Sequence, residues 1–173
     1  MVMLRFTILL ILLMNLYSCS NRVVTNEDID KFISKYQNEN FESLKGISIL
    51  QRSRDLNEIV YVVDKLEDNK PPYFVEFNIT KKSITNINKT QLEKDSISDY
   101  LTHTEITAAV NTIRKYDFFL LAVDSSKNVF INPFYANAPA YFLRLKVETG
   151  DSTIRKGYVY ELYKDNWYLN KTK

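Results

Sequence analysis

The sequence predicts an α+β domain on three observations. Two segments place apolar residues at helical spacing behind a capping signal. Several others alternate apolar with polar residues, or run as short β-branched stretches between turn residues. These segments come in blocks, a helix and then strands, twice over, and blocks of that kind suit an antiparallel sheet with helices segregated from it.

Thr25 opens the first helix with Asp28 at the capping-box position, where the two side chains can each satisfy the other's backbone N–H. Ile29, Phe32, Ile33 and Tyr36 then recur at i, i+3, i+4 and i+7, while Lys31, Ser34 and Lys35 fall outside that stripe. Ile59 to Val63 is a β-branched run that reads as a strand. After the break at Pro71-Pro72, Tyr73, Val75, Phe77 and Ile79 alternate with Phe74, Glu76, Asn78 and Thr80. Lys81-Lys82-Ser83 turns that strand back into Ile84–Ile87 as a hairpin. The polar residues 88–99 lead to a second helix, boxed by Thr102 and Glu105, with Ile106, Ala109, Val110 and Ile113 as its apolar stripe.

Phe118 to Val123 lacks alternation and reads as a strand buried on both sides. Val129–Ile131 follows a turn at Ser125–Asn128, and the loop Pro133–Pro139 comes next. Tyr141, Leu143, Leu145 and Val147 then predict an outgoing strand that turns at Thr149-Gly150-Asp151. Ile154, Tyr158, Tyr160 and Leu162 predict its return, and Lys164-Asp165-Asn166 turns once more into Trp167-Tyr168-Leu169. The expected architecture is two amphipathic helices packed on one face of a curved, largely antiparallel sheet. In architecture alone this resembles cystatin-like folds. The helices end in similar text, Ile33-Ser34-Lys35-Tyr36 and Ile113-Arg114-Lys115-Tyr116, so a tandem α-β-β-β duplication is the alternative.

Ahead of this domain, Arg5 precedes an apolar run from Phe6 to Met14, interrupted by Thr7 and closed by Asn15. That is the pattern of a secretory signal peptide, and the run falls short of the roughly 20 apolar residues of a membrane span. Leu16-Tyr17-Ser18-Cys19 follows and resembles the lipobox of bacterial lipoproteins, with Leu16 at −3, Ser18 at −1 and the obligatory Cys19. The resemblance implies diacylglycerol on the Cys19 thiol, cleavage before it, and a further acyl chain such as palmitate on the new N-terminus. Residues 1–18 are then a signal peptide, 19–24 a lipidated tether, and 25–173 a single α+β domain. Cys19 is the sole cysteine, and a thioether cannot form the stray disulfides that a free thiol invites outside the cell. Ser20, with no aspartate at its position, resembles the pattern that enterobacteria sort to the outer membrane. The expected location is the cell envelope, lipid-anchored in the outer membrane.

Composition narrows the function. Lys and Arg number 23 against 21 Asp and Glu, which is no electrostatic footprint for nucleic acid. With three glycines in the chain, no phosphate-cradling loop can be built, and no cofactor is expected. His103 is the only histidine. It stands at a helix start, where the dipole disfavours imidazolium, and no nucleophile-elbow motif accompanies it. Asp28 with Asp30, and Glu93, Asp95 and Asp99, lack the glycine-punctuated spacing of a calcium loop. No catalytic and no metal residues are assigned, and no enzyme is expected.

Binding is better supported. Of the 10 Phe, 12 Tyr and 1 Trp, all but Phe6 and Tyr17 lie beyond the signal segment. Phe134 and Tyr135 sit in an uncharged, proline-bounded loop, where rigid rings lose little entropy on making a contact. Asp95-Ser96-Ile97 and Asp151-Ser152-Thr153 resemble the O-glycosylation motif of Bacteroidetes secretory proteins, which would place glycans on Ser96 and Ser152. The expected function is a non-enzymatic binding module on the envelope membrane, for a protein or glycan partner, with an inhibitor or immunity protein as its sharper form. A structural subunit of an envelope complex and a small carboxylate-dependent hydrolase are the alternatives.

Overall fold

A computed structural model describes residues 23–66 and 68–172. The chain divides between Gln37 and Asn38 into two units. The lipobox residues Leu16, Ser18 and Cys19 lie outside the described residues.

In the first unit α1 spans Asn26–Tyr36. Its capping box forms as the sequence predicts: Asp28 N donates to Thr25 Oγ1 at 3.2 Å, and Thr25 N donates to Asp28 Oδ2 at 3.1 Å. Ile29, Phe32, Ile33 and Tyr36 are all buried.

The second unit opens with a 3₁₀ turn, Glu42–Leu44. Strands β1 (Ile47–Arg54), β2 (Glu58–Lys65), β3 (Tyr73–Asn78) and β4 (Ser83–Asn88) follow, then the short α2 (Thr90–Lys94) and the long α3 (His103–Tyr116). The remaining strands are β5 (Leu120–Val123), β6 (Val129–Asn132), β7 (Phe142–Arg144), β8 (Ser152–Arg155), β9 (Tyr158–Lys164) and β10 (Trp167–Asn170). Among the described residues they form one 10-stranded sheet in the order β4-β3-β2-β1-β5-β6-β7-β10-β9-β8. Every strand pairing is antiparallel. The chain is thus α+β. From the central pair, β1 beside β5, the strands β2, β3 and β4 meander outward on one side, while on the other β6 and β7 are followed by β10, β9 and β8, with β8 at the edge.

On one face β2 and β3 alternate strictly, burying Ile59, Tyr61 and Val63 beside Tyr73, Val75 and Phe77. Helix α3 lies across β1 and β2 through Ile106, Ala109, Val110 and Ile113. Its end is fixed by the Arg114 guanidinium, 3.7 Å above the Phe77 ring, and by Asp117 in the left-handed region at φ 55°.

The other face carries a second core. Residue pairing sets Asp64, Ser48, Ala122, Phe130, Leu143 and Tyr168 in a row across β2, β1, β5, β6, β7 and β10. Tyr160 on β9 joins that core, its ring centroid 6.4 Å from that of Phe130. In a flat sheet β6 and β9 would stand about 14 Å apart, three strand spacings, so the sheet rolls. The β8–β9 tip confirms it: Lys156 Nζ donates to Leu66 O at 2.8 Å, across what would be about 29 Å on a flat sheet of this order.

The C-terminal strands depart from the expected pairing. Tyr141–Val147 does not pair with a single return strand. β7 shrinks to Phe142–Arg144 between β6 and β10, because both its faces are buried: Phe142 and Leu143 are each 0% exposed. The hairpin turn sits instead at Lys156-Gly157, with φ 52° and 79° between the paired Arg155 and Tyr158. Positive φ at both central residues is the type I′ turn that matches strand twist.

Candidate functional site

The loop that carries the predicted contact residues is built by one side chain. Asn132 ends β6 and is 0% exposed. Its Oδ1 accepts from the backbone N–H groups of Phe134 and Tyr135, both at 3.0 Å. Its Nδ2 donates to the carbonyls of Ala138 at 3.3 Å and Pro139 at 2.8 Å. A carboxamide has two lone pairs and two N–H donors, so the group is saturated, and it ties both ends of the loop together.

The two predicted residues take different parts. Phe134 is half-buried, edge-on to Tyr141 at 5.1 Å and tilted against Phe142 at 5.8 Å. Phe142 in turn meets the buried Trp167 edge-on at 5.7 Å. Phe134 therefore roots the loop in the core. Tyr135 is 37% exposed, with its ring 6.2 Å from that of Tyr141. Burial pushes the Tyr141 phenol upward, with Tyr135 and Tyr163 adding to the effect, so the Tyr141 ring is neutral at physiological pH. The result is an uncharged aromatic corner on a rigid base.

Behind it, Arg144 sits with its guanidinium 5.4 Å from the Phe41 ring and 5.5 Å from the Trp167 ring, donating to Glu39 O at 2.9 Å. Burial holds its pKa below the ordinary arginine value, with the Glu39 charge opposing. The Tyr116 hydroxyl donates to the Glu39 carboxylate and lowers its pKa, and Lys115 lies 3.5 Å from the same carboxylate. This cluster braces the aromatic side of the sheet.

Two clefts open elsewhere. One, of about 240 Å³, is lined by Tyr73, Lys89, Asp99, His103 and Ile106 among others. Its polar groups are engaged: Lys89 pairs with Asp99 at 2.7 Å, and Tyr73 Oη accepts from Tyr100 N at 2.9 Å and Leu101 N at 3.2 Å. His103 Nδ1 lies 3.4 Å from Thr107 Oγ1, one helical turn on. The other, of about 220 Å³, lies under the β8–β9 hairpin.

Ser96 is exposed with φ 55°, just past α2, and Ser152 is exposed at the start of β8, an edge strand of the sheet. Both are open to a bulky substituent. Among the described residues no group of three or more His, Cys, Asp or Glu side chains converges as a metal site, and no helix is long and apolar enough to cross a membrane.

Sequence reasoning missed Asn132 and Tyr141. The Asn132-Pro133 dipeptide was the available signal, since asparagine before proline favours turn initiation. Tyr141 reads as the first residue of an alternating strand, and nothing local shows that it stands beside the loop. No protein-family model matches this chain, and comparison with curated proteins and with solved structures finds no match either.

Proposed function

We propose that this chain is a lipoprotein held on the outer membrane through Cys19, and that its domain is a non-enzymatic module that binds a protein partner through the aromatic corner. The observation that carries this reading is the saturated Asn132 clamp. It holds Tyr135 outward while Phe134 anchors the loop, so little conformational freedom is lost on contact. An inhibitor or immunity protein is the sharper form, because a stiff loop presenting rings suits insertion into a partner's groove. Glycans on Ser96 and Ser152 fit the same reading, since both lie away from the corner in sequence and are exposed.

The fold reading that goes with it is a tandem pair of units, each a helix followed in chain order by antiparallel strands, as in the layout of a cystatin-like unit. The support is the sheet order, in which β1 and β5 are neighbours, β2, β3 and β4 step outward from β1, and β6 and β7 step outward from β5, together with the echoed helix ends.

The test is crosslinking and capture from native membranes with the full chain. Tyr135→Ala should abolish capture of the wild-type partner while Tm stays within about 2 °C, as a surface change should. Cys19→Ala should move the chain out of the membrane fraction. Capture undiminished by Tyr135→Ala would overturn the assigned surface, and unchanged fractionation of Cys19→Ala would overturn the tether.

A further inference from the structure

The β8–β9 hairpin folds back over the sheet and roofs the cleft of about 220 Å³. Leu120, Ala122 and Phe130 form its floor on β5 and β6, and Tyr158 and Tyr160 close it from β9. The hairpin is fixed at one end and loose at the other. At its root, Tyr160 is buried and its hydroxyl donates to Ala140 O at 3.3 Å. Toward its tip, the edge strand β8 pairs with β9 alone, and Ile154 is 67% exposed. Lys156 reaches from that tip to the end of β2, where its Nζ donates to Leu66 O at 2.8 Å.

A carboxyl lies beside this reach. Asp64 stands opposite Ser48 in register, and Ser48 lines the cleft together with Lys156 and Leu66. The Ser48 hydroxyl donates to the Asp64 carboxyl, whose Oδ1 is buried with no hydrogen-bond partner among the described residues. An ionised carboxylate with a dry, unpaired oxygen is costly, and a proton removes most of that cost. The groups in play come from three elements: Ser48 on β1, Lys156 on the hairpin, and the Tyr100 phenol ahead of α3. Burial and then the Asp64 charge push that phenol up, so it stays neutral and Lys156 is the cation of the set. Burial outweighs both the Ser48 bond and the Lys156 charge, and Asp64 titrates above its ordinary 3.8.

We infer that the β8–β9 hairpin is a flap over this cleft, seated when Asp64 is protonated and loosened when it is ionised, with Lys156 as its strap. Linkage fixes the direction. With the tip lifted, water reaches Asp64 and it titrates near 3.8. With the tip seated, it keeps its proton to higher pH. The seated form therefore binds more protons and is favoured in acid, and lifting grows as pH rises through the seated value. Access to the cleft rises with it. The Lys156 charge moderates the effect by steadying ionised Asp64 in the seated form. The device is separate from the aromatic corner and needs no partner.

The test is the rate at which a neutral maleimide labels Ala122→Cys, on the cleft floor and 2% exposed, in the full chain. Each rate is divided by that of Leu56→Cys, 93% exposed, which cancels the thiol's own pH dependence. The wild-type chain is the baseline for Cys19, and Ala109→Cys, buried on α3, reports any global opening. The Ala122→Cys ratio should rise several-fold between about pH 5 and about pH 7 while the Ala109→Cys ratio stays flat. Asp64→Asn should hold the cleft at its low, seated level across that range. Lys156→Gln should raise labelling at neutral pH above that of the chain with Lys156. A ratio that does not change with pH, or a rise that survives in Asp64→Asn, overturns the proposal. If Asp64→Asn does not fold, Lys156→Gln decides, and neutral-pH labelling left unaltered by it overturns the flap.

Discussion

Replacing Asn132 by alanine removes four hydrogen bonds together. Each such bond contributes about 0.5–1.5 kcal/mol net. The loop's amides and carbonyls can recover part of this from water, so a loss of about 2–4 kcal/mol in urea unfolding is expected. Asn132→Asp should do no better, because it keeps both acceptor contacts but gives up donation to Ala138 and Pro139 and buries a charge in a fully enclosed position. A change below about 0.5 kcal/mol, the range of ordinary surface substitutions, would mean that the loop holds its shape without the clamp. Tyr135 gives the contrasting case. It contributes contact area but little packing, so the same change to alanine should leave stability alone and be felt only by a partner.

Helix α3 is held at its start by the Thr102–Glu105 box, with Thr102 N donating to Glu105 Oε2 at 2.7 Å and Glu105 N donating to Thr102 Oγ1 at 3.2 Å. Thr102→Ala should cost about 1 kcal/mol in chemical unfolding. The box also sets a pH signature. The backbone N–H of Thr102, and then its hydroxyl, lower the Glu105 pKa from 4.5. A carboxylate whose folded pKa is depressed adds stability above its unfolded pKa and loses it as pH falls through the folded value. Stability should therefore decline as pH is lowered from 4.5 downward, and Thr102→Ala should flatten that part of the profile. An unaltered profile would assign the acid loss to other carboxylates. Both helices and most strands were legible because caps and periodicity are local signals. β1 was not, since only its first half alternates: Ile47 and Ile49 are buried, and Arg52, Ser53 and Arg54 are exposed after a bulge. Helix α2 hid in a polar stretch because Leu92 is its single buried residue. β7 was mispaired because a strand buried on both faces has no period to read, and β8 and β9 were read as one return strand because Lys156-Gly157 was passed over as the turn. Of the binding surface, Phe134 and Tyr135 were legible as residues, while their division into anchor and contact needed Tyr141 and Trp167, which only the sheet brings near.

At the scale of the whole molecule, the sheet is a roll joined by a short seam. β1 and β5 share three paired positions, Ser48 with Ala122, Ile49 with Leu121 and Leu50 with Leu120, whereas β1 and β2 pair along nearly their full lengths. Leu121→Ala at the middle of that seam should cost about 2–5 kcal/mol, as for other buried leucines. Native-state hydrogen exchange should show β5 and β6 opening apart from β2 and β3, with the mutation lowering protection first at the seam. A single cooperative opening of all strands would argue that the second core welds the halves. The seam also sets an order in time. Synthesis proceeds from the N-terminus, so β1 to β4 can be complete while one side of β1 still has no neighbour. An unpaired strand side is a template for another chain, and this one is sealed only when Leu120–Val123 emerges. For that interval the growing polypeptide is most vulnerable to sticking to its own kind.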